Sequence, residues 1–186
     1  KIKTINGVLY SHFHADQTHG INDLRTFSLN NGIKIPVYCD EMTSKYLKNN
    51  FSYCFKKNYD YDPILKLYKL KKQFKIKMSK KFLKILSIPV RHGSINSIAY
   101  IFEKKIAYLS DVNEIYLKDM RYFKKLKYLI IDCLRYKKHP SHFSLDEIIY
   151  LTNKLKPKKT ILTNLNTDLD YDHLIKILPK NILPGF

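Results

Sequence analysis

The sequence lacks tryptophan and is poor in glycine and cysteine, with five glycines and three cysteines among 186 residues. Cys39, Cys54 and Cys133 show no Cys-x-x-Cys spacing, and an odd number of cysteines argues against a disulfide framework. No apolar run approaches the roughly 20 residues that a membrane-spanning helix needs. We therefore expect a reducing compartment, the cytoplasm, and no association with a membrane.

Acidic residues are also scarce, with 16 Asp and Glu against 34 Lys and Arg, which gives a formal net charge of +18. An anionic partner, either a small phosphorylated substrate or a nucleic acid, would explain this charge. A compositional bias is the preferred explanation, because the lysines are scattered along the chain. The densest lysine run, residues 66–84, is interleaved with apolar residues and is typical of a solvated segment with snorkelling lysines. A contact surface for a phosphate backbone stays as the alternative.

The length and the apolar fraction of 45% predict a globular chain with a sizeable core, organised as a single domain over residues 1–186. Strand patterns alternate with helical ones, which predicts an α/β layered domain. The clearest helix signal is a capping box, in which Ser144 precedes an amphipathic stretch and Glu147 follows three residues later. Residues 51–71 are aromatic and polar and are predicted to form a long loop.

The stretch SHFHADQTHG follows a short apolar strand and concentrates three histidines and an aspartate. His12 and His14 are two residues apart, so in an extended segment they share a face and can reach one ion. Asp16 opens the next predicted helix and can project to the same place. Imidazole and carboxylate ligands suit zinc or manganese. A histidine-rich surface turn would give the same local pattern and stays as the alternative.

Other polar side chains lie in or just after predicted strands. In open sheets, ligands collect at the loops beyond strand ends, so these positions favour the metal-site interpretation. The residues concerned are His92, Asp111, Asp132, His139, His142 and Asn166.

These segments together resemble the metallo-β-lactamase-fold hydrolases, especially the branch that contains phosphoribosyl 1,2-cyclic phosphate phosphodiesterase. The family signature is HxHxDH, a distant HG, a bridging aspartate after an apolar strand, and a late histidine. The similar segments occur here in the same order and cover nearly the whole chain: SHFHADQTHGINDLR, PVRHGSINS, AYLSDVNEI, IIDCLRYKKHPSHFSLDE and TILTNLNTDLDYDHL.

The resemblance implies an αββα sandwich and a metal-dependent hydrolase of phosphodiester substrates. It implies that His12, His14 and His92 bind a first ion, that Asp111 bridges to a second ion, and that Asp16 binds that second ion. Asp16 and His142 are the implied catalytic residues, with His142 near the substrate phosphate as a proton donor or phosphate-orienting group. Family members often form dimers, so a homodimer is an expectation of the same kind.

Two departures from the family pattern affect the second ion. The family has histidines where this chain has Gln17 and Asn166, and amide oxygens are weaker ligands for zinc than imidazole. The two changes favour one bound zinc or manganese ion over two, with Gln17 and Asn166 as weak ligands. His19 and His173 are not expected to bind metal, and His139 is expected to be structural.

The first strands of the family fold have no counterpart here, and the chain begins with Lys1 in place of methionine. We therefore expect an N-terminally incomplete domain, or a partner that supplies the strands. Three functions stay open: a phosphodiester hydrolase with a weakened second metal site, a catalytically inactive relative with the same fold, and a nuclease of the tRNA 3′-processing type. The charge supports the nuclease, whereas Gln17 and Asn166 motivate the inactive relative.

Overall fold

The computed structural model describes residues 2–57 and 61–185. Backbone contacts divide the chain into two units, Lys1–Leu83 and Lys84–Phe186. The expectation of one domain over the whole chain stays a prediction. The mixture of strands and helices in both units confirms the α/β class.

The first unit contains a three-stranded parallel sheet in the order β1-β2-β3. Its strands are β1 (Val8–Leu9), β2 (Ile35–Cys39) and β3 (Leu65–Lys69). Parallel neighbours need crossover connections, and helices provide them. These are α1 (Ala15–Thr18), a 3₁₀ turn (His19–Asp23), α2 (Leu24–Asn31) and α3 (Glu41–Asn50).

The helix ends of this unit follow local sequence. Helix α2 is capped at its C-terminus by Gly32, whose φ of 61° is the left-handed conformation that glycine adopts without a Cβ penalty. Helix α3 is capped at its N-terminus by Asp40, whose carboxylate accepts a hydrogen bond from the Thr43 N–H at 2.8 Å. Cys39 ends β2 immediately before this cap, so the strand and the helix are joined by a single capping residue.

The loop predicted over residues 51–71 is wrong in part, because β3 occupies Leu65–Lys69 and pairs with β2 along its whole length. Residues 58–60 of that segment lie outside the described residues. Leu65 is buried and Leu67 half-buried, whereas Lys66 and Lys69 are exposed. Its outward positions are Lys66 and Tyr68, so the aromatic and polar composition that indicates a loop is here the exposed face of a half-buried strand.

After β3, the short strand β4 (Gln73–Lys77) leads into β5 (Phe82–His92) through a turn in which the Met78 N–H donates to the Lys81 carbonyl. Strand β5 carries the chain from the first unit into the second.

The second unit is built on a mixed sheet in which the strands from β5 onward follow the order β10-β9-β8-β7-β6-β5. The remaining strands are β6 (Ile95–Phe102), β7 (Ile106–Leu109), β8 (Tyr128–Asp132), β9 (Lys159–Thr163) and β10 (Ile182–Pro184). Strands β5, β6 and β7 are antiparallel neighbours, whereas β7, β8, β9 and β10 run parallel.

Within the described part of this unit, the helical segments are a 3₁₀ turn (Leu117–Phe123), α4 (Leu145–Leu155) and α5 (Tyr171–Ile177). The predicted capping box of α4 is confirmed, because the Glu147 carboxylate accepts hydrogen bonds from both the N–H and the hydroxyl of Ser144. The buried face of α4 joins the central strands in one apolar core that includes Ile148, Leu129 and Ile131. Burying each such side chain contributes about 1.5–3 kcal/mol. Among the described residues, no helix is long and apolar enough to cross a membrane.

Candidate metal centre

The histidine cluster of the first unit lies between the end of β1 and the start of α1. Its two imidazoles are neighbours, with ring centroids of His12 and His14 4.5 Å apart. His12 is fully buried, which is unusual for a histidine that serves only as a surface turn. The local arrangement therefore favours a ligand pair over the surface turn.

Gln17 is part of a hydrogen-bonded chain that begins at His12. The Nδ1 atom of His12 lies 3.0 Å from the Ser11 hydroxyl, which donates to Oε1 of Gln17 at 3.4 Å. Because Ser11 uses its proton on Gln17, it accepts the Nδ1 proton of His12, and the His12 lone pair is then on Nε2. Nε2 of Gln17 in turn donates to Oδ2 of Asp16 at 2.9 Å. Gln17 thus orients its neighbours through both ends of its amide.

The carboxylate of Asp16 is stabilised in its ionised form. Burial alone would raise the pKa of Asp16, but the hydrogen bond from Gln17, a backbone hydrogen bond and the nearby His12 and His14 outweigh it, so the pKa is lowered. Asp16 therefore carries a negative charge next to the two imidazoles at neutral pH.

In the second unit, the carboxyl ends of three parallel strands present polar side chains. Strands β7, β8 and β9 are adjacent and parallel, so their carboxyl ends lie along one edge of the sheet. Asp111 follows β7, Asp132 ends β8, and Asn164 follows β9. The sequence predicted this convergence for the first two residues.

Asp111 is 4% exposed and has well-defined neighbours. Its Oδ1 accepts hydrogen bonds from the Ser110 hydroxyl at 2.8 Å and from the Asn164 amide at 2.9 Å. Its Oδ2 lies 3.7 Å from Nε2 of His92. Two ligands of a tetrahedral zinc ion are separated by about 3.4 Å, so this spacing fits a shared ion.

His92 is oriented by the loop that follows β8. Its Nδ1 donates to the carbonyl of Ser141 at 2.8 Å, which leaves the lone pair on Nε2, the atom that faces Asp111. Gly93 follows with a φ of 59°, and a Cβ there would lie 3.0 Å from the Cβ of Ser141. A glycine after His92 thus permits both the turn and the close approach of the loop.

Asp132 and His142 form a hydrogen-bonded pair beside His92. Nδ1 of His142 lies 2.6 Å from Oδ2 of Asp132, which also accepts the N–H of Val112. Burial raises the pKa of the fully buried Asp132, against the opposing effect of the hydrogen bonds from His142 and Val112. The rings of His92 and His142 are 4.9 Å apart. Asp132 thus accepts hydrogen bonds from a backbone N–H and from an imidazole, and a supporting role for it stays a prediction.

Four of the predicted ligands form a group that could hold a metal ion. Each offers one ligand atom, and these atoms all lie within 4.8 Å of one another. Three imidazole nitrogens and one carboxylate oxygen are a donor set that zinc or manganese accepts. The residues are His12, His14, His92 and Asp111.

The weak ligand expected at Asn166 is not supported, since this side chain is exposed and its amide oxygen accepts the N–H of Thr167 at 2.7 Å. Asn164 lies against Asp111 instead. The sequence signal for Asn164 is its place directly after the apolar strand, whereas Asn166 lies in the following turn. Strand β9 ends at Thr163, so Asn164 and not Asn166 is the residue at the strand end.

The other histidines have roles outside the four-residue group. Nε2 of His19 lies 3.2 Å from the Tyr46 hydroxyl, and His139 is hydrogen bonded to Ser141. His173 lies on the exposed side of α5. Asp16 is not among the four grouped ligands, although it is hydrogen bonded to Gln17 beside two of them.

The fold and this donor set define a class, the metallo-β-lactamase-fold metallo-hydrolases. Residues 1–163 match the beta-lactamase superfamily domain, and the chain belongs to that family. Within it, the chain is related to the PhnP family. A diphosphatase of the PhnP family is 31% identical in sequence and superimposes with a TM-score of 0.87, over 99% of this chain and 69% of that one.

Two further similarities show how far the resemblance extends. Zn²⁺-bound PqqB from Methylobacterium extorquens superimposes with a TM-score of 0.74 at 11% identity, over 97% of this chain and 71% of that one, which shows the fold alone. A curated relative from Porphyromonas gingivalis (strain ATCC BAA-308 / W83), named octanoyltransferase, is 28% identical over 189 residues. The match covers all of this chain but 37% of that relative, so the name belongs to a much longer protein.

Proposed function

We propose that this chain is a metal-dependent hydrolase that cleaves phosphodiester or closely related phosphoryl bonds. The observation that carries the proposal is the grouping of three imidazoles and one carboxylate within 4.8 Å, in a member of a hydrolase family. Scattered structural histidines would not bring four potential ligand atoms so close together. The ligands would be His12, His14, His92 and Asp111.

A divalent ion held there supplies a bound water of lowered pKa and positive charge for the phosphate oxygens. The protein's own contribution is orientation. Ser141 fixes His92 with its Nε2 lone pair toward the centre, and Ser11 does the same for His12. These two contacts would hold both imidazoles in the orientation that a bound ion requires.

His142 is the proposed proton donor to the leaving oxygen. Asp132 holds Nδ1 of His142, so Nε2 is the atom that would give or take a proton. A buried carboxylate behind an imidazole fixes its tautomer and stabilises its protonated form. The ring of His142 lies 4.9 Å from that of His92, which supports a role as proton donor next to the proposed metal ligands.

We propose that the site holds one metal ion, either zinc or manganese. Gln17 supports a single ion, because its amide oxygen accepts from Ser11 and its amide nitrogen donates to Asp16. An amide engaged in this way is a poor metal ligand. Asp16 would then act as a charged neighbour that helps to orient the substrate and the attacking water.

The proposed substrate is a small phosphorylated molecule in the cytoplasm. The relative named as a diphosphatase suggests that P–O–P bonds belong beside cyclic phosphodiesters among the candidates. A nuclease of the tRNA 3′-processing type is the second candidate, favoured by the formal charge of +18.

The octanoyltransferase name of the curated relative raises the question of acyl transfer. Acyl transfer through a cysteine thioester is not supported in this chain. Burial raises the pKa of Cys39 and of Cys133 to about 12, and it also raises the pKa of Cys54. All three side chains are buried. A thioester route needs an accessible thiolate, and none of these cysteines provides one.

The proposal is tested by assaying metal-free and zinc- or manganese-loaded protein side by side on four substrates. These are a cyclic ribose phosphate, a bis-aryl phosphate, a diphosphate-linked nucleotide and a precursor tRNA. We expect metal-dependent hydrolysis of at least one small substrate, which is lost in His92→Ala and kept in His173→Ala. Cleavage of the tRNA alone would favour the nuclease. Absence of metal-dependent turnover on all four would favour the inactive relative.

A further inference from the structure

The carboxylate of Asp111 is held unevenly by its neighbours. Its Oδ1 receives two hydrogen bonds, from the Ser110 hydroxyl at 2.8 Å and from Nδ2 of Asn164 at 2.9 Å. Each carboxylate oxygen offers about two lone pairs, so these two donors fill the ordinary capacity of Oδ1. Its Oδ2 lies 3.7 Å from Nε2 of His92.

The backbone conformation at Asn164 accounts for the position of its amide. Asn164 is the first residue after β9, and its φ of 58° is in the left-handed region, which asparagine tolerates better than most residues. Strands β7 and β9 flank β8 in the same direction, so the residues after β7 and β9 share one edge of the sheet. The second amide proton of Asn164 is directed to the Ser110 carbonyl, at 3.4 Å.

We propose that Asn164 is a positioning residue of the metal centre that makes Asp111 a ligand through Oδ2 alone. A neutral N–H donor then occupies the side of the carboxylate on which a second cation would be bridged. Asp111 would serve one ion and not connect two, in contrast to the bridging role that the family resemblance implied. The inference rests on the proposed function and specifies how its site is built.

A similar hydrogen bond at Asp16, the residue implied to bind a second ion, independently supports a single bound ion. The Nε2 atom of Gln17 donates to Oδ2 of Asp16 at 2.9 Å. At both aspartates, therefore, an uncharged amide nitrogen is hydrogen bonded to a carboxylate oxygen. Hydrogen bonds to carboxylate ligands orient the ligand and are typically worth about 10–100-fold in metal affinity.

The test compares Asn164→Gly with Asn166→Gly. Glycine accepts the positive φ at position 164, so the first change removes the amide without straining the backbone. The second removes the same group from an exposed turn two residues away. Zinc affinity is measured by competition with a fluorescent chelator, and the number of bound ions by native mass spectrometry. Melting temperatures of the metal-free proteins report on folding.

We expect one zinc ion per wild-type chain and a loss of zinc affinity of about 10–100-fold in Asn164→Gly. Asn166→Gly should bind zinc as the wild type does, and the metal-free melting temperatures should agree. Ser110→Ala, which removes the other donor to Oδ1, should also weaken zinc binding. This second variant keeps the test valid should Asn164→Gly fold poorly.

The outcomes separate this inference from the proposed function. Wild-type protein that binds no zinc, manganese or iron would remove the proposed function and the inference together. Wild-type protein that binds one ion with an affinity that Asn164→Gly and Ser110→Ala leave unchanged would overturn the inference alone. Two tightly bound ions in the wild type would overturn it as well, because Asp111 would then have an oxygen for each.

Discussion

At the scale of single residues, the structure separates side chains that could bind an ion from side chains that orient the ligands. His92 and His12 each have one ring nitrogen committed to a protein neighbour, a carbonyl or a hydroxyl. Gln17 and Asn164 each direct an amide nitrogen to a carboxylate. Residue type alone does not distinguish these two roles, and the hydrogen-bond partner does.

The role of His142 gives a prediction for turnover. His142→Ala should lower kcat on the best substrate by about 10²–10⁴, because the proton would no longer be delivered to the leaving oxygen. Metal content should stay at the wild-type level, since His142 is not in the ligand group. Steady-state kinetics and metal analysis on the same preparation check both statements. His173→Ala, on an exposed helix surface, is the control, and equal kcat values in the two variants would contradict the role of His142.

The cysteines give a second prediction at this scale. Because burial raises the pKa of Cys39 and Cys133 to about 12, neither forms a thiolate near neutral pH. We expect the folded protein to resist alkylation by iodoacetamide at pH 8, whereas the denatured protein takes up three equivalents. Intact-mass measurement distinguishes the two. Rapid labelling of any cysteine in the folded protein would contradict its burial and reopen thiol chemistry.

At the scale of elements, the sequence predicted those whose patterns are local. The capping box of α4 follows from Ser144 and Glu147 alone, and both contacts form. The turn between β6 and β7 is equally local, and in it Glu103 and Lys104 adopt the positive φ values of a tight hairpin. Strand β3 was missed because its pairing with β2 is made by residues about 30 positions away.

The turn after β5 gives a prediction for stability and metal affinity together. Gly93→Ala should lower the free energy of unfolding by about 1–3 kcal/mol, because alanine is strained at a φ of 59° and its Cβ would press on Ser141. Zinc affinity should fall too, since the Ser141 carbonyl orients His92. Urea denaturation of the metal-free protein and a chelator competition measure the two effects.

Gly20→Ala is the matched control for Gly93→Ala. A Cβ at Gly20 would meet only Oδ2 of Asp23, at 4.0 Å. We expect this control to change stability by less than about 0.5 kcal/mol, as surface substitutions usually do. Equal effects of the two alanines would show that the turn after β5 does not constrain the site.

At the scale of the whole molecule, the order of the motifs along the chain was sufficient to predict the superfamily. The candidate ligands at positions 12, 14, 92 and 111 follow predicted strands in the same order as in the family. This order can be recognised from the sequence alone. The contact of Asn164 with Asp111 could not be predicted from the sequence, because it depends on which residue ends β9 and on the register of β8 and β9. Hydrogen-bond partners such as Ser141 likewise depend on the fold.

The central claim is that the grouped histidines and Asp111 bind a metal ion. Its most direct test is the metal content of the purified wild type and of the double variant His12→Ala/His92→Ala, measured by inductively coupled plasma mass spectrometry. The account predicts one zinc or manganese ion per wild-type chain and close to none in the double variant, with circular dichroism unchanged. A folded wild type without a transition metal, or a double variant that retains the full metal content, would contradict it.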